Sequence, residues 1–248
     1  MAAALLVAGG AHAFAAGAQR RAAIAATPVP AQALQLVLVV TPAWDSTAGV
    51  LRRFVRDDAG AAWRRVGRGV PIVVGVSGLA WGIDTLGKAS DPHKREGDGR
   101  APAGVFSLDN AFGFAPASAV PWVRLPYLPL AAGSECVDDT TSVHYNTVVD
   151  RATVAPVDWS SAERMRQIGQ YQLGVMVGYN TRPIRPGYGS CIFLHIWGGA
   201  GSSTAGCTAF PRADVETLLR WLDPARRPVL VQLPAAEYAR LRARWRLP

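Results

Sequence analysis

Cys191-Ile192-Phe193-Leu194-His195-Ile196-Trp197-Gly198-Gly199-Ala200-Gly201-Ser202-Ser203-Thr204-Ala205-Gly206-Cys207 is the stretch on which the reading of the chain turns. Its first six residues read as a strand, in which side chains alternate between two faces. Ile192, Leu194 and Ile196 then share an apolar core face, while Cys191, Phe193 and His195 share the other. Gly198, Gly199 and Gly201 open a flexible turn, and Cys207 follows behind Gly206. A thiol becomes a useful nucleophile when its pKa is lowered beside a histidine. A glycine before it lets backbone N–H groups reach a developing oxyanion with no side chain in the way. Two other readings stay open on these residues alone. One is a core histidine beside an unrelated buried cysteine. The other is a zinc site built from Cys191, His195 and Cys207 with His144 or Cys136. Spacing speaks against zinc, because Cys191 and His195 lie ~13 Å apart along an extended strand. No metal and no cofactor is expected.

Outward from this stretch, short apolar runs recur, separated by Gly and Pro. Leu34 to Val40 is a continuous buried-strand pattern. Further strands are expected at Trp63–Val66, Val70–Val76, Val105–Leu108, Val120–Leu125, Leu173–Val177 and Val229–Leu233. Such spacing suits a β-rich sandwich or barrel. Helices are few. Ser160-Ser161-Ala162-Glu163 fits a capping box, with Met165 and Ile168 behind it. Val215, Leu218, Leu219 and Leu222 give a clearer helix that Pro224 ends. Tyr238, Leu241 and Trp245 suggest a terminal helix with a basic outer face. From Pro121 to Asp150 the chain reads as a long loop, the kind that often carries function.

Composition bounds the answer. Half of the 248 residues are hydrophobic and 18% are charged, enough apolar surface for a packed domain and too much for a disordered chain. The net charge is +8, but the arginines are scattered, without the basic stripe and interleaved aromatics of a nucleic-acid surface. No nucleic-acid partner is expected. Residues 2–18 are uncharged, small and apolar, and contain Ala11-His12-Ala13 and Ala16-Gly17-Ala18. A secretory signal peptide is expected over residues 1–18, a linker over 19–33 and a single catalytic domain over 34–248. The protein is therefore expected in the periplasm or cell envelope. The membrane enters only through this N-terminal segment, should it stay uncleaved.

Two motifs in order carry a family resemblance. His195 followed by Thr204-Ala205-Gly206-Cys207 resembles the signature of the L,D-transpeptidase catalytic domain, the cysteine enzymes of bacterial peptidoglycan. Upstream, Gly97-Asp98 and Ala101-Pro102-Ala103-Gly104-Val105-Phe106 resemble a second segment of that family. The chain departs from it at Ile196 and Trp197, where members usually carry glycine, and at Ala209, where they usually carry arginine. The resemblance implies a mainly β, L,D-transpeptidase-like β-sandwich with a few short helices. It implies Cys207 as nucleophile and His195 as its base, with an oxyanion hole at the backbone of Gly206 and Cys207. Thr204, Tyr145, Asn146 and Trp197, with Tyr179 and Asn180, are candidate substrate contacts. The implied partners are peptidoglycan stem peptides. The implied reaction is loss of D-alanine from a tetrapeptide stem and transfer of the acyl group to an amine, giving a 3→3 crosslink. Transfer to water, as an L,D-carboxypeptidase, and an inactive wall-binding scaffold are the alternatives. If Cys207 must stay a free thiol in an oxidising compartment, Cys136 and Cys191 are left as a candidate disulfide.

Overall fold

The computed structural model describes residues 28–83 and 87–248. The expected signal peptide, and the expected linker as far as residue 27, lie outside them.

The strands in chain order are β1 (Gln35–Thr41), β2 (Ala48–Val55), β3 (Arg64–Val73), β4 (Leu79–Trp81), β5 (Ala101–Ser107), β6 (Asn110–Gly113) and β7 (Tyr127–Pro129). They continue as β8 (Ser134–Val137), β9 (Val148–Asp150), β10 (Ala162–Arg164), β11 (Leu173–Met176), β12 (Phe193–Ile196), β13 (Thr208–Phe210) and β14 (Val229–Pro234). Two α-helices follow β13 and β14: α1 (Arg212–Trp221) and α2 (Ala235–Leu241). Eleven strands form one sheet in the order β4-β5-β14-β1-β2-β3-β13-β12-β11-β6-β7, and β10-β8-β9 form a small second sheet. The protein is mainly β, as the sequence implies.

β1 explains how the large sheet is used. Leu36, Val37, Leu38 and Val39 are all nearly inaccessible, so both of its faces are covered. An unbroken apolar run is what a two-sided burial demands. In strand order β1 and β12 are four places apart, ~19 Å across a flat sheet. Yet Leu36 and Leu38 share one core with Leu194 and Ile196 of β12. The sheet therefore doubles over on itself, a sandwich made from one continuous sheet. The seam is thin: β3 and β13 pair only at Val73 and Ala209. α1 closes one side, burying Val215, Leu218 and Leu219 and packing on β11 and β12.

The end of the expected linker is part of this core. Val29 and Ala33 are buried, and the buried Arg56 guanidinium donates to the carbonyls of Pro30, Ala31 and Ala33. Other expectations are corrected. Val120–Leu125 forms no strand; it is a 3-10 turn exit and loop. The strands expected at Trp63–Val66 and Val70–Val76 are one strand, β3, which starts at Arg64 and ends at Val73, short of Val76. The loop expected from Pro121 to Asp150 contains β7, β8 and β9. The capping box at Ser160 starts no helix: Ala162–Arg164 is β10, and Met165 and Tyr171 lie in 3-10 turns. Pairing of Glu163 with Cys136 across β8 overrides the local helix signal.

Behind β11 and β12, away from the main core, lies a second cluster. It holds Phe112, Leu130, Cys136, Met165, Tyr171, Cys191, Phe193 and Cys207. Ile192, Leu194 and Ile196 fall on the first side and Cys191 and Phe193 on the second, but the expected strand is shorter than its six residues: β12 starts at Phe193, and Cys191 has a φ of 54° before it.

Candidate active site

β12 and β13 run parallel, with Leu194 opposite Thr208 and His195 opposite Ala209. One step back, Cys207 stands level with Phe193, and the Phe193 N–H donates to the Cys207 sulfur at 3.2 Å. Cys207 and His195 are thus diagonal neighbours on adjoining strands, a spacing that side chains can bridge. Both line one cleft of about 370 Å³, together with Trp197, Thr204 and Tyr171. Cys207 is the free cysteine among the described residues. Cys136 and Cys191 are joined, their sulfurs 2.07 Å apart.

The backbone orients the histidine. Its Nδ1 lies 2.8 Å from the Ile196 carbonyl oxygen. A carbonyl can only accept, so Nδ1 carries the proton and Nε2 keeps a lone pair. Tyr171 packs its ring edge-on against the imidazole at 5.1 Å and 76°. The Cys207 S–H donates to the Cys191 carbonyl at 3.3 Å.

The protonation states differ from the sequence expectation of a thiol acidified by its histidine. Burial pushes the Cys207 thiol up, and the negative charge of Glu163 adds to it. Burial also holds the His195 imidazole down to about 4, against a smaller opposing effect of the Ile196 hydrogen bond. At neutral pH the site therefore rests as a thiol and a neutral imidazole, a base and its proton donor, rather than as an ion pair.

Thr204 shapes the turn before the thiol. Its hydroxyl donates to the Cys207 carbonyl at 2.7 Å and accepts the Gly206 N–H at 3.1 Å. That bond engages the Gly206 N–H in the resting site. The turn is stitched to the segment after β3 by Val76 N–H to the Thr204 carbonyl and Thr204 N–H to the Val74 carbonyl. Gly75 sits between these bonds, and a Cβ there would lie 2.2 Å from the Gly99 carbonyl oxygen. Gly75→Ala is expected to cost ~3 kcal/mol or more and to slow Cys207 acylation, since relief of the overlap must move the backbone that holds Thr204. Thermal melting and intact-mass kinetics on the variant check both effects.

Other expected contacts fall elsewhere. Tyr145 and Asn146 are not on the cleft wall. Tyr145 is buried, its hydroxyl bonded to Glu96 and accepting the Gly189 N–H. The Asn146 amide donates to the carbonyls of Tyr179 and Asn180, and its oxygen accepts the Cys191 N–H at 2.9 Å. These residues brace the start of the histidine strand from behind. Tyr179 and Asn180 are likewise buried, away from the cleft. Trp197 and Thr204 do line it. In the upstream motif, Asp98 pairs with the buried Lys94 at 2.6 Å and accepts the Arg100 N–H. The Arg100 guanidinium turns away to the Leu79 carbonyl. Asp98 so fixes a glycine-rich turn that places the Arg100 carbonyl 3.0 Å from where a Cβ on Gly206 would stand.

Two residues in the cleft, Tyr171 and Glu163, carry no sequence signal for a place there; Glu163 stands out only as part of a capping box. Tyr171 donates its hydroxyl to Glu163 at 2.6 Å. Both line the cleft. Cys136 and Cys191 are bonded to each other, which takes both sulfurs from the set of zinc ligands weighed above.

The model of the YkuD family, the L,D-transpeptidase catalytic domain, matches residues 45–231, three quarters of the chain. The chain belongs to the L,D-transpeptidase family. The match runs from the turn before β2 into β14 and includes both halves of the cleft. No curated protein and no solved structure shows significant similarity to the chain. Membership implies an L,D-transpeptidase-type function in the cell wall, of a kind that is cysteine-dependent and acts on peptidoglycan stem peptides. The family is typically extracytoplasmic. No helix among the described residues is long and apolar enough to cross a membrane.

Proposed function

We propose that the chain is a peptidoglycan L,D-transpeptidase in which Cys207 is the nucleophile and His195 its base. The observation that carries this is the tautomer of His195. With Nδ1–H held by the Ile196 carbonyl, Nε2 is the atom left to take a proton, and the one free thiol among the described residues stands diagonally across the strand pair.

The cycle begins when the Cys207 S–H turns from the Cys191 carbonyl to His195 Nε2. As the proton leaves, the sulfur attacks the carbonyl between the L-centre of the diamino acid and D-alanine in a tetrapeptide stem. The Cys207 backbone N–H faces the developing oxyanion, with the Gly206 N–H available once it leaves the Thr204 hydroxyl. The imidazolium then protonates the departing D-alanine amine, leaving a thioester. A side-chain amine of a second stem attacks the thioester carbonyl, a C–N bond forms, the C–S bond breaks and the thiol is restored. A neutral resting pair suits this route. His195 needs to be charged only while the tetrahedral intermediate exists, and burial makes it a ready acid at that moment. Export of the chain by its N-terminal segment belongs to the same reading.

Purified chain incubated with sacculi rich in tetrapeptide stems is expected to yield 3→3-linked muropeptide dimers and free D-alanine. Tripeptide monomers without dimers would make the enzyme a carboxypeptidase. Release of neither product would overturn the enzymatic reading in favour of a wall-binding scaffold.

A further inference from the structure

Resting on that transpeptidase reading, we infer that Glu163, held by the Tyr171 hydroxyl, is the general base that takes the first proton from the ammonium group of the acceptor stem. Two protons must leave an incoming ammonium before the new amide is complete. One departs before attack, because a protonated nitrogen has no lone pair. The other departs after the C–N bond forms. His195 and the departing Cys207 sulfur account for the second, since restoring the thiol consumes one proton. The first needs another acceptor, because the Nδ1–H of His195 is held by the Ile196 carbonyl and its one free lone pair, on Nε2, is taken up by the second.

The cleft supplies a carboxylate for that proton. Glu163 projects from β10 into the cleft that contains Cys207 and His195. Its Oε2 accepts the Tyr171 hydroxyl at 2.6 Å, and the Tyr171 ring packs edge-on against His195. One rigid aromatic therefore spaces the carboxyl from the acid–base pair. Glu163 bonds Tyr171 and shares the cleft with Glu96, Asp138, His195 and Cys207, none of them a cation at neutral pH. Lys94, also on the cleft, spends its ammonium on Asp98 and the Arg95 carbonyl. Burial, opposed by the Tyr171 hydrogen bond, raises the Glu163 carboxyl to about 7. A base with that affinity is substantially ionised at neutral pH and still holds a proton well. Before transfer the ammonium meets a carboxylate, a favourable pairing that also draws a cationic acceptor rather than water into the cleft. In balance, the carboxylate becomes a carboxylic acid, the ammonium becomes an amine, the C–S bond is exchanged for C–N, and solvent later removes the proton from Glu163.

Water needs no such help, because it arrives uncharged. The test is thus the partition of one thioester between amine and water. Full-length chain is acylated with a tetrapeptide stem and given a tripeptide stem as acceptor, and the ratio of dimer to hydrolysed tripeptide is measured by liquid chromatography. Glu163→Gln is expected to lower this ratio at least tenfold, with partial recovery in Glu163→Asp. Tyr171→Phe, which keeps the ring against His195, is expected to lower it less. In the wild type the ratio is expected to fall as pH drops through about 7, and in Glu163→Gln to lose that dependence. A ratio unchanged in Glu163→Gln, or falling with pH equally in both, overturns the inference. Should Glu163→Gln not fold, the wild-type pH profile and Tyr171→Phe decide it on the same criteria. Failure of wild type to form any thioester would sink the transpeptidase reading itself, a result distinct from an unchanged ratio.

Discussion

Cys207→Ala is expected to abolish the covalent adduct that wild type forms with a stem-peptide donor or a carbapenem, a rate loss on the order of 10⁴-fold or more. Intact mass is a clean readout here. Cys136 and Cys191 are tied to each other, so a mass gain in unreduced protein reports on Cys207. The substitution itself is mild, because Cys207 sits in an apolar cluster beside Phe193 and Tyr171 and an alanine leaves only a small void. A variant that melts within a few degrees of wild type yet gains no mass assigns the nucleophile. Acylation of Cys207→Ala at the wild-type rate would show the assignment to be wrong.

The same experiment run against pH separates a neutral pair from an ion pair. His195 works as a base only while its Nε2 is unprotonated. Acylation should therefore persist through mildly acidic pH and fall as pH drops through about 4. Small alkylating agents that do not recruit His195 should behave differently. With the thiol pushed up by burial, their rate at pH 7 should be low and should climb steadily through the alkaline range. Rapid, pH-independent alkylation between pH 5 and 8 would instead mean a resting thiolate, and would count against the protonation states drawn above.

How much of this site was written in the chain can be judged residue by residue. The alternation of Leu194 and Ile196 against Phe193 and His195 was legible, because strand side chains have a period of two; that the strand starts only at Phe193, after a Cys191 with a φ of 54°, was not. The helix at Val215 to Leu222 was legible for the equivalent reason at its own period. Strands of three or four residues, such as β8, β9, β10 and β13, were not, since so few positions carry no periodicity. Glu163 shows the cost of local reading. Ser160 and Glu163 match a capping box, yet their partners are distant: Ser160 bonds Asp139, while Glu163 pairs across to Cys136 and meets Tyr171. Asn146 and Tyr145 stood out in the sequence, but only the fold makes them braces behind Cys191. The tautomer of His195 was out of reach, because it rests on a carbonyl one residue away whose direction the sequence does not encode.

Removing the disulfide, with Cys136→Ser and Cys191→Ser together, is expected to lower stability by ~4 kcal/mol and to impair acylation of Cys207 in the protein that remains folded. The first figure follows from loop closure: the bridge spans a separation of 55 residues, and the loss of unfolded-chain entropy for a loop of that size gives ~4 kcal/mol. The second effect is geometric. Cys191 has a positive φ of 54°, and its carbonyl accepts the Cys207 S–H. Its N–H is held by Asn146, so the disulfide and Asn146 together fix a strained backbone against Cys207. Cys136 supplies the far anchor from β8, the strand that also pairs with Glu163. One covalent link therefore ties the thiol's hydrogen-bond acceptor to the strand beside the candidate base. Releasing it should broaden the position of the Cys191 carbonyl, and with it the orientation of the S–H that must turn toward His195. Chemical denaturation measures the first effect, and acylation kinetics well below the melting temperature measure the second. If Cys136→Ser/Cys191→Ser loses stability but acylates like wild type, Asn146 alone is enough to hold that carbonyl. If stability is unchanged, the bridge does not form in the folded protein.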